Sequence, residues 1–119
     1  MVHIADSYDL YIDGEWVPAE DGSELTTHDP ATGEPLATVA AATATDVDRA
    51  VAAAREAFRE WRHVAPDERG RIVGRIADLV RERSEELAEL ESADQGKPLS
   101  QARSDYEGAA RYFEYYAGA

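Results

Sequence analysis

Leu10-Tyr11-Ile12-Asp13-Gly14-Glu15-Trp16-Val17 sets the reading of the whole chain. Two short runs rich in strand-forming side chains flank an Asp-Gly pair, the dipeptide that most readily accepts the positive φ angles of a two-residue hairpin turn. The chain therefore opens with an antiparallel hairpin. Working outward, a polar turn at Glu20 to Ser23 leads into Glu24 to His28, then Asp29-Pro30-Ala31-Thr32-Gly33-Glu34-Pro35, then Leu36 to Ala40. Pro30 and Gly33 suit a turn, so the flanking runs read as two further short strands.

Beyond the connector Val39 to Ala44 the apolar period changes from two to 3.6. Thr45 or Asp46 offers an N-cap, and Val47, Val51, Ala54, Phe58 and Trp61 form one apolar stripe behind it. Pro66 with Asp67 and Glu68 suits the first turn of a second helix, because proline gives up only an amide that has no helical partner there. Its expected buried face is Ile72, Ile76, Leu79, Val80, Leu87 and Leu90, and the segment admits an interruption near Ser84. Gly96 is placed to cap it, Pro98 prevents continuation, and Leu99, Ala102, Tyr106, Ala109, Phe113 and Tyr116 mark a third amphipathic helix that ends at Gly118. The expectation for residues 1–119 is two short antiparallel hairpins over about 8–42 and three amphipathic helices over about 46–118.

The 119 residues suffice for one ordinary domain at most. Twenty-five acidic against twelve basic residues leave a charge of −13, which opposes a nucleic-acid backbone or an anionic membrane. No apolar run approaches the length of a membrane span, and the first residues lack a signal core, so the chain reads as cytoplasmic. Leu, Ile, Val and Phe occupy only 21 of 119 positions, a composition that with this charge borders on disorder, but the helical periodicity overrules that reading. Lys97 is the only lysine, and alanine is abundant. Acidic, lysine-poor and rich in small apolar residues, the chain resembles a halophilic protein, one from a cytoplasm salty enough to screen its charges.

Chemistry-bearing constellations are few. There is no cysteine, hence no disulfide and no thiolate nucleophile or ligand, and no asparagine. His3, His28 and His63 stand apart, outside any metal-ligand spacing. Glu91 to Ser100 contains Gly96-Lys97 but lacks the first glycine and the Ser/Thr of a phosphate loop, and no Gly-x-Gly-x-x-Gly occurs. Glu85-Glu86 and Glu89-Glu91 read as solvated helix faces. Five aromatics crowd into the last fourteen residues: Tyr106, Phe113 and Tyr116 share one face, whereas Tyr112 and Tyr115 point elsewhere. No residue is assigned a catalytic or cofactor-binding role.

Taken together in order and spacing, several pieces are specific. They are Tyr11-Ile12-Asp13-Gly14-Glu15-Trp16-Val17, Asp29-Pro30-Ala31-Thr32-Gly33-Glu34, Asp46-Val47-Asp48 opening an Ala-rich helix that ends in Trp61-Arg62, and Arg69. Ile76-Ala77-Asp78-Leu79, Leu90-Glu91-Ser92, Asp94-Gln95-Gly96-Lys97-Pro98 and Tyr115-Tyr116-Ala117-Gly118 follow. From about residue 8 to 119 the chain resembles the amino-terminal part of an aldehyde dehydrogenase. The resemblance implies an α/β fold, of which this chain is the first layer of a Rossmann-like coenzyme-binding domain, incomplete without the parallel sheet against which its helices pack. It implies NAD(P)-dependent oxidation of an aldehyde to a carboxylic acid through a cysteine thiohemiacetal, with a glutamate base and an asparagine in the oxyanion hole. Those groups would lie beyond residue 119, so this chain alone is expected to be inactive and to bind no NAD or NADP.

The same resemblance implies partners in the remainder of an aldehyde dehydrogenase or its subunits, and Phe58, Trp61, Phe113 and Tyr116 left partly exposed without them. Some members hold a structural monovalent cation, which by position would fall to Thr27, His28 and Asp105. The rival reading is a stand-alone, non-enzymatic interaction module that binds a partner through its aromatic third helix. A plainer one is a small acidic helical domain.

Overall fold

The computed structural model describes residues 2–119. The order of elements is β1 (Ser7–Tyr8), β2 (Leu10–Ile12), β3 (Glu15–Val17), β4 (Glu24–His28), β5 (Pro35–Ala40), α1 (Ala44–Trp61), α2 (Pro66–Glu82), α3 (Ser84–Gln95) and α4 (Leu99–Ala117). They fall into two compact units. One contains residues 4–28 and 33–63, the strands with α1, and the other contains residues 29–32 and 64–119, which carry α2 to α4.

In the strand unit the first hairpin pairs Leu10 with Val17, Tyr11 with Trp16 and Ile12 with Glu15. Asp13 and Gly14 take φ of 55° and 79°, the left-handed conformations that the Asp-Gly pair tolerates at its turn. The Tyr11 and Trp16 rings meet across the strands with centroids 5.0 Å apart. β4 and β5 are antiparallel, with a register shift between Thr27 and His28. The second expected hairpin is therefore present, and it gains a strand: β1 lies parallel to β5, Ser7 opposite Thr38, which gives a three-stranded sheet ordered β1-β5-β4. Two residues are too short a run for periodicity to reveal.

α1 begins at Ala44, and its N-cap is Thr43, not Thr45 or Asp46 as the sequence suggests. Thr43 is the N-cap and Asp46 stands at N3, each side chain bonded to the other's backbone in a capping box. The stripe Val47, Val51, Phe58 and Trp61 exists but is not buried in this chain: these side chains are 36–57% exposed.

The helical unit holds three helices, because the second expected segment is interrupted near Ser84, as the sequence allows. α2 and α3 part at Arg83, whose φ of −109° and ψ of 12° leave the helical region, although Arg83 N–H still bonds the Leu79 carbonyl and Leu87 N–H the Arg83 carbonyl. Both segments pack on α4. α2 does so through a face that the sequence reading selected only in part: Val80 is half-buried, as are Leu87 and Leu90 on α3. Ala77, 2% exposed, is buried, while Ile72, Ile76 and Leu79 are 38–44% exposed. The reason is steric: a Cβ on Gly70 would come within 2.5 Å of the Ala117 carbonyl oxygen, so the glycine side of α2 allows an approach that a branched side cannot. Ala88, Ala102 and Ala110 are wholly buried, so small residues make the seams, while Ile72, Ile76 and Leu79 stay outside them. Arg81 adds an ion pair to Glu114 at 2.9 Å, and Arg103 hydrogen-bonds Glu85 through Nε at 2.8 Å.

Gly96 ends α3 in the left-handed conformation, φ 72°, with its N–H on the Ser92 carbonyl, as the sequence predicts. Pro66 occupies the first turn of α2, and α4 starts directly after Pro98. Among the described residues no helix is long and apolar enough to cross a membrane.

Candidate functional site

Two polar constellations stand out from the solvated surface, one in each unit. In the strand unit, Asp46 is the only polar residue buried among the described ones, at 1% exposure. Its carboxylate accepts the Glu20 N–H through both oxygens, at 3.2 and 3.1 Å, and the Thr43 N–H and hydroxyl through Oδ2 at 2.9 Å each. The Thr43 Oγ1 in turn accepts the Asp46 N–H at 3.3 Å. The backbone donors of Thr43 and then Glu20 hold this carboxyl below the usual carboxylate range, outweighing the desolvation that would raise it. Arg49 is 3.8 Å away. Asp46 is thus a fastener between the loop after β3 and the start of α1. Its signal was present in the sequence as Thr43-x-x-Asp46, a capping box with aspartate in the acidic place.

In the helical unit the site is the α3–α4 corner. The Lys97 ammonium hydrogen-bonds Glu91 Oε1 on α3 and Asp105 Oδ2 on α4, the latter at 2.8 Å. Glu91 also accepts from Gln95 Nε2 at 3.2 Å and from the Tyr106 hydroxyl. Ser92 Oγ donates to the Lys97 carbonyl at 2.8 Å, so both ends of the lysine are tied to α3. Asp105 and then Glu91 raise the Lys97 ammonium well above its ordinary value. Desolvation first and the Glu91 charge second push the Tyr106 phenol up. Here the surface reading of Glu91 is corrected: its side chain is only 15% exposed, because Lys97 follows it into the corner. Glu85 and Glu86 are exposed, as expected, and bind Arg103 and Arg83.

Of the three residues assigned to a cation by resemblance, Thr27 and His28 are neighbours on β4 in the strand unit. Asp105 lies on α4 in the helical unit, and the cation that it faces is Lys97. Among the described residues no three His, Asp or Glu side chains are grouped to hold a metal ion. The aromatic end of α4 is open: Tyr112, Tyr115 and Tyr116 are 64–72% exposed and, with Arg111, line a shallow apolar depression. With no cysteine in the sequence, thiol chemistry is outside this chain's own repertoire.

Comparison with known proteins gives these constellations a setting. A family model described as the aldehyde dehydrogenase family matches residues 16–119. DhaS of Bacillus subtilis (strain 168), whose name assigns it to the aldehyde dehydrogenases, is 47% identical over 112 residues, covering 92% of this chain and 23% of the relative. The crystal structure of an NAD-dependent aldehyde dehydrogenase from Sinorhizobium meliloti is 41% identical over 94% of this chain and 23% of that one, with a TM-score of 0.90. Betaine aldehyde dehydrogenase from Staphylococcus aureus, solved with NAD+, is 37% identical over 93% of this chain and 23% of its own, also at 0.90. The chain therefore spans about 23% of the length of the relatives that it matches.

Proposed function

The chain belongs to the aldehyde dehydrogenase family, and on that premise we propose that it supplies the amino-terminal layer of an NAD(P)-dependent aldehyde dehydrogenase and is catalytically inactive alone. The observation that carries this reading is a family match over residues 16–119 of a chain that contains no cysteine. In the reaction that membership implies, NAD or NADP, when bound, takes the hydride from the aldehyde carbon. The residues here do architectural work: Asp46 fastens the strand layer to α1, and Lys97 closes the α3–α4 corner. The partner that suits such a layer is the remainder of an aldehyde dehydrogenase. In support, apolar groups without cover recur on three helices, including Phe58 at 57%, Ile72 at 44% and Tyr116 at 64% exposure. The rival reading, an independent module acting through the aromatic final helix, draws no support from the comparisons.

A cytoplasmic, high-salt setting fits the same reading. No helix among the described residues can span a membrane, and the charge of −13 calls for screening. The test is spectrophotometric. Purified chain with NAD or NADP and a panel of aliphatic and aromatic aldehydes should produce no reduced cofactor. Co-expression with the remaining part of a related dehydrogenase, itself inactive, should restore turnover. Turnover by the chain alone after stringent purification would overturn the first claim, and failure of a soluble, folded pair to associate would overturn the second.

A further inference from the structure

The α3–α4 corner is built around the chain's single lysine, and the choice of lysine over arginine there has a geometric reason. Eleven of the twelve basic residues are arginine. Each arginine's paired carboxylates lie on a single helix: Arg83 forks onto both oxygens of Glu86 and Arg103 onto those of Glu85, while Arg71 divides between Asp67 and Glu68 on α2 and Arg81 between Glu107 and Glu114 on α4. Lys97 instead joins carboxylates on two helices, Glu91 of α3 and Asp105 of α4, from a three-residue turn, through donors that diverge from one nitrogen in a space too narrow for the wider guanidinium fork. It is also the least exposed basic side chain among the described ion pairs, at 22% against 35% for Arg81, the next. Glu91 Oε1 accepts from both Lys97 and Gln95.

We propose that the Lys97 ammonium is the resident cation of a two-carboxylate site formed by Glu91 and Asp105, and that it takes the place of any inorganic monovalent cation at Asp105. A second positive ion beside Asp105 Oδ2 would stand against an ammonium 2.8 Å from that oxygen. Removing the ammonium leaves two converging carboxylates, one of them mostly buried, and only then does the corner acquire an appetite for sodium or potassium.

The experiment uses the 119-residue chain in molar NaCl, KCl or tetramethylammonium chloride, which match ionic strength but differ in an ion small enough to enter. Hydrogen exchange over residues 84–105 reads the corner locally, whatever the rest of the chain does. Wild type should exchange alike in all three salts. K97M should lose about tenfold or more of its corner protection, regain part of it in NaCl or KCl but not in tetramethylammonium chloride, and K97R should fall between the two. Wild-type protection that depends on sodium or potassium would overturn the proposal, as would K97M or K97R exchanging like wild type. A K97M loss that no small cation moderates would also overturn it, by removing the reading of the corner as a cation site.

Discussion

Replacing Gly96 by alanine tests the α3 cap through two separable costs. The residue sits at φ 72°, ψ 14°, where an L side chain costs about 1–2 kcal/mol because Cβ crowds the following carbonyl. The new Cβ would also lie 3.0 Å from Pro30 Cγ and 3.8 Å from Pro30 Cβ. At 3.0 Å the ring must yield by a few tenths of an ångström, and a proline ring can pucker, so the added cost belongs at the low end of overpacking, about 0.5–1 kcal/mol. Gly96→Ala should thus destabilise by about 1.5–3 kcal/mol. Pro30→Ala removes the Cγ and leaves the Cβ contact, so in that background Gly96→Ala should retain only the backbone cost. Urea unfolding followed by circular dichroism in molar KCl measures the four corners of the cycle, with hydrogen exchange of the Gly96 N–H, bonded to the Ser92 carbonyl at 2.9 Å, as the local check. A neutral or stabilising Gly96→Ala would refute the left-handed cap. Equal losses in the two backgrounds would refute the Pro30 contact while leaving the cap intact.

Thr43→Ala removes the hydroxyl that accepts the Asp46 N–H and should cost about 1 kcal/mol by denaturant midpoint, with Thr43→Ser close to wild type. The lowered Asp46 carboxyl contributes stability that is present above its unfolded value and lost as pH falls through its still lower folded value. Asp46→Asn should therefore flatten the acid limb of a stability profile, and a limb of unchanged steepness would count against the fastener. Ala102→Leu forces three carbons into a wholly buried seam and should cost roughly 1–3 kcal/mol or more, whereas Gln101→Leu on the exposed side should be near neutral. The melting temperature should rise from dilute buffer to molar KCl as screening relieves the charge of −13, and equal melting in both would remove the high-salt explanation.

The sequence by itself determined whatever depends on local chemistry. Asp13-Gly14 dictated a hairpin because few dipeptides accept two positive φ angles. Pro66, Gly96 and Pro98 placed helix boundaries because proline lacks an amide hydrogen and glycine lacks a Cβ. The absence of cysteine excluded thiol chemistry outright. Tertiary structure decided what depends on distance between parts of the chain that the sequence keeps apart. The two-residue β1 exists only because β5 offers it a ladder. Of the apolar face of α2, tertiary structure keeps Val80 half-buried and leaves Ile72, Ile76 and Leu79 outside, because hydrophobicity ranks these above Gly70 and Ala77 whereas close helix approach ranks by size. The two polar fasteners join residues 26 apart, Glu20 with Asp46, and eight apart, Lys97 with Asp105. A carboxylate in a sequence looks solvated until the fold brings it donors. Asp46 and Glu91 owe their setting to no property of their own, but to packing that removed most of their water and supplied N–H and O–H groups in its place.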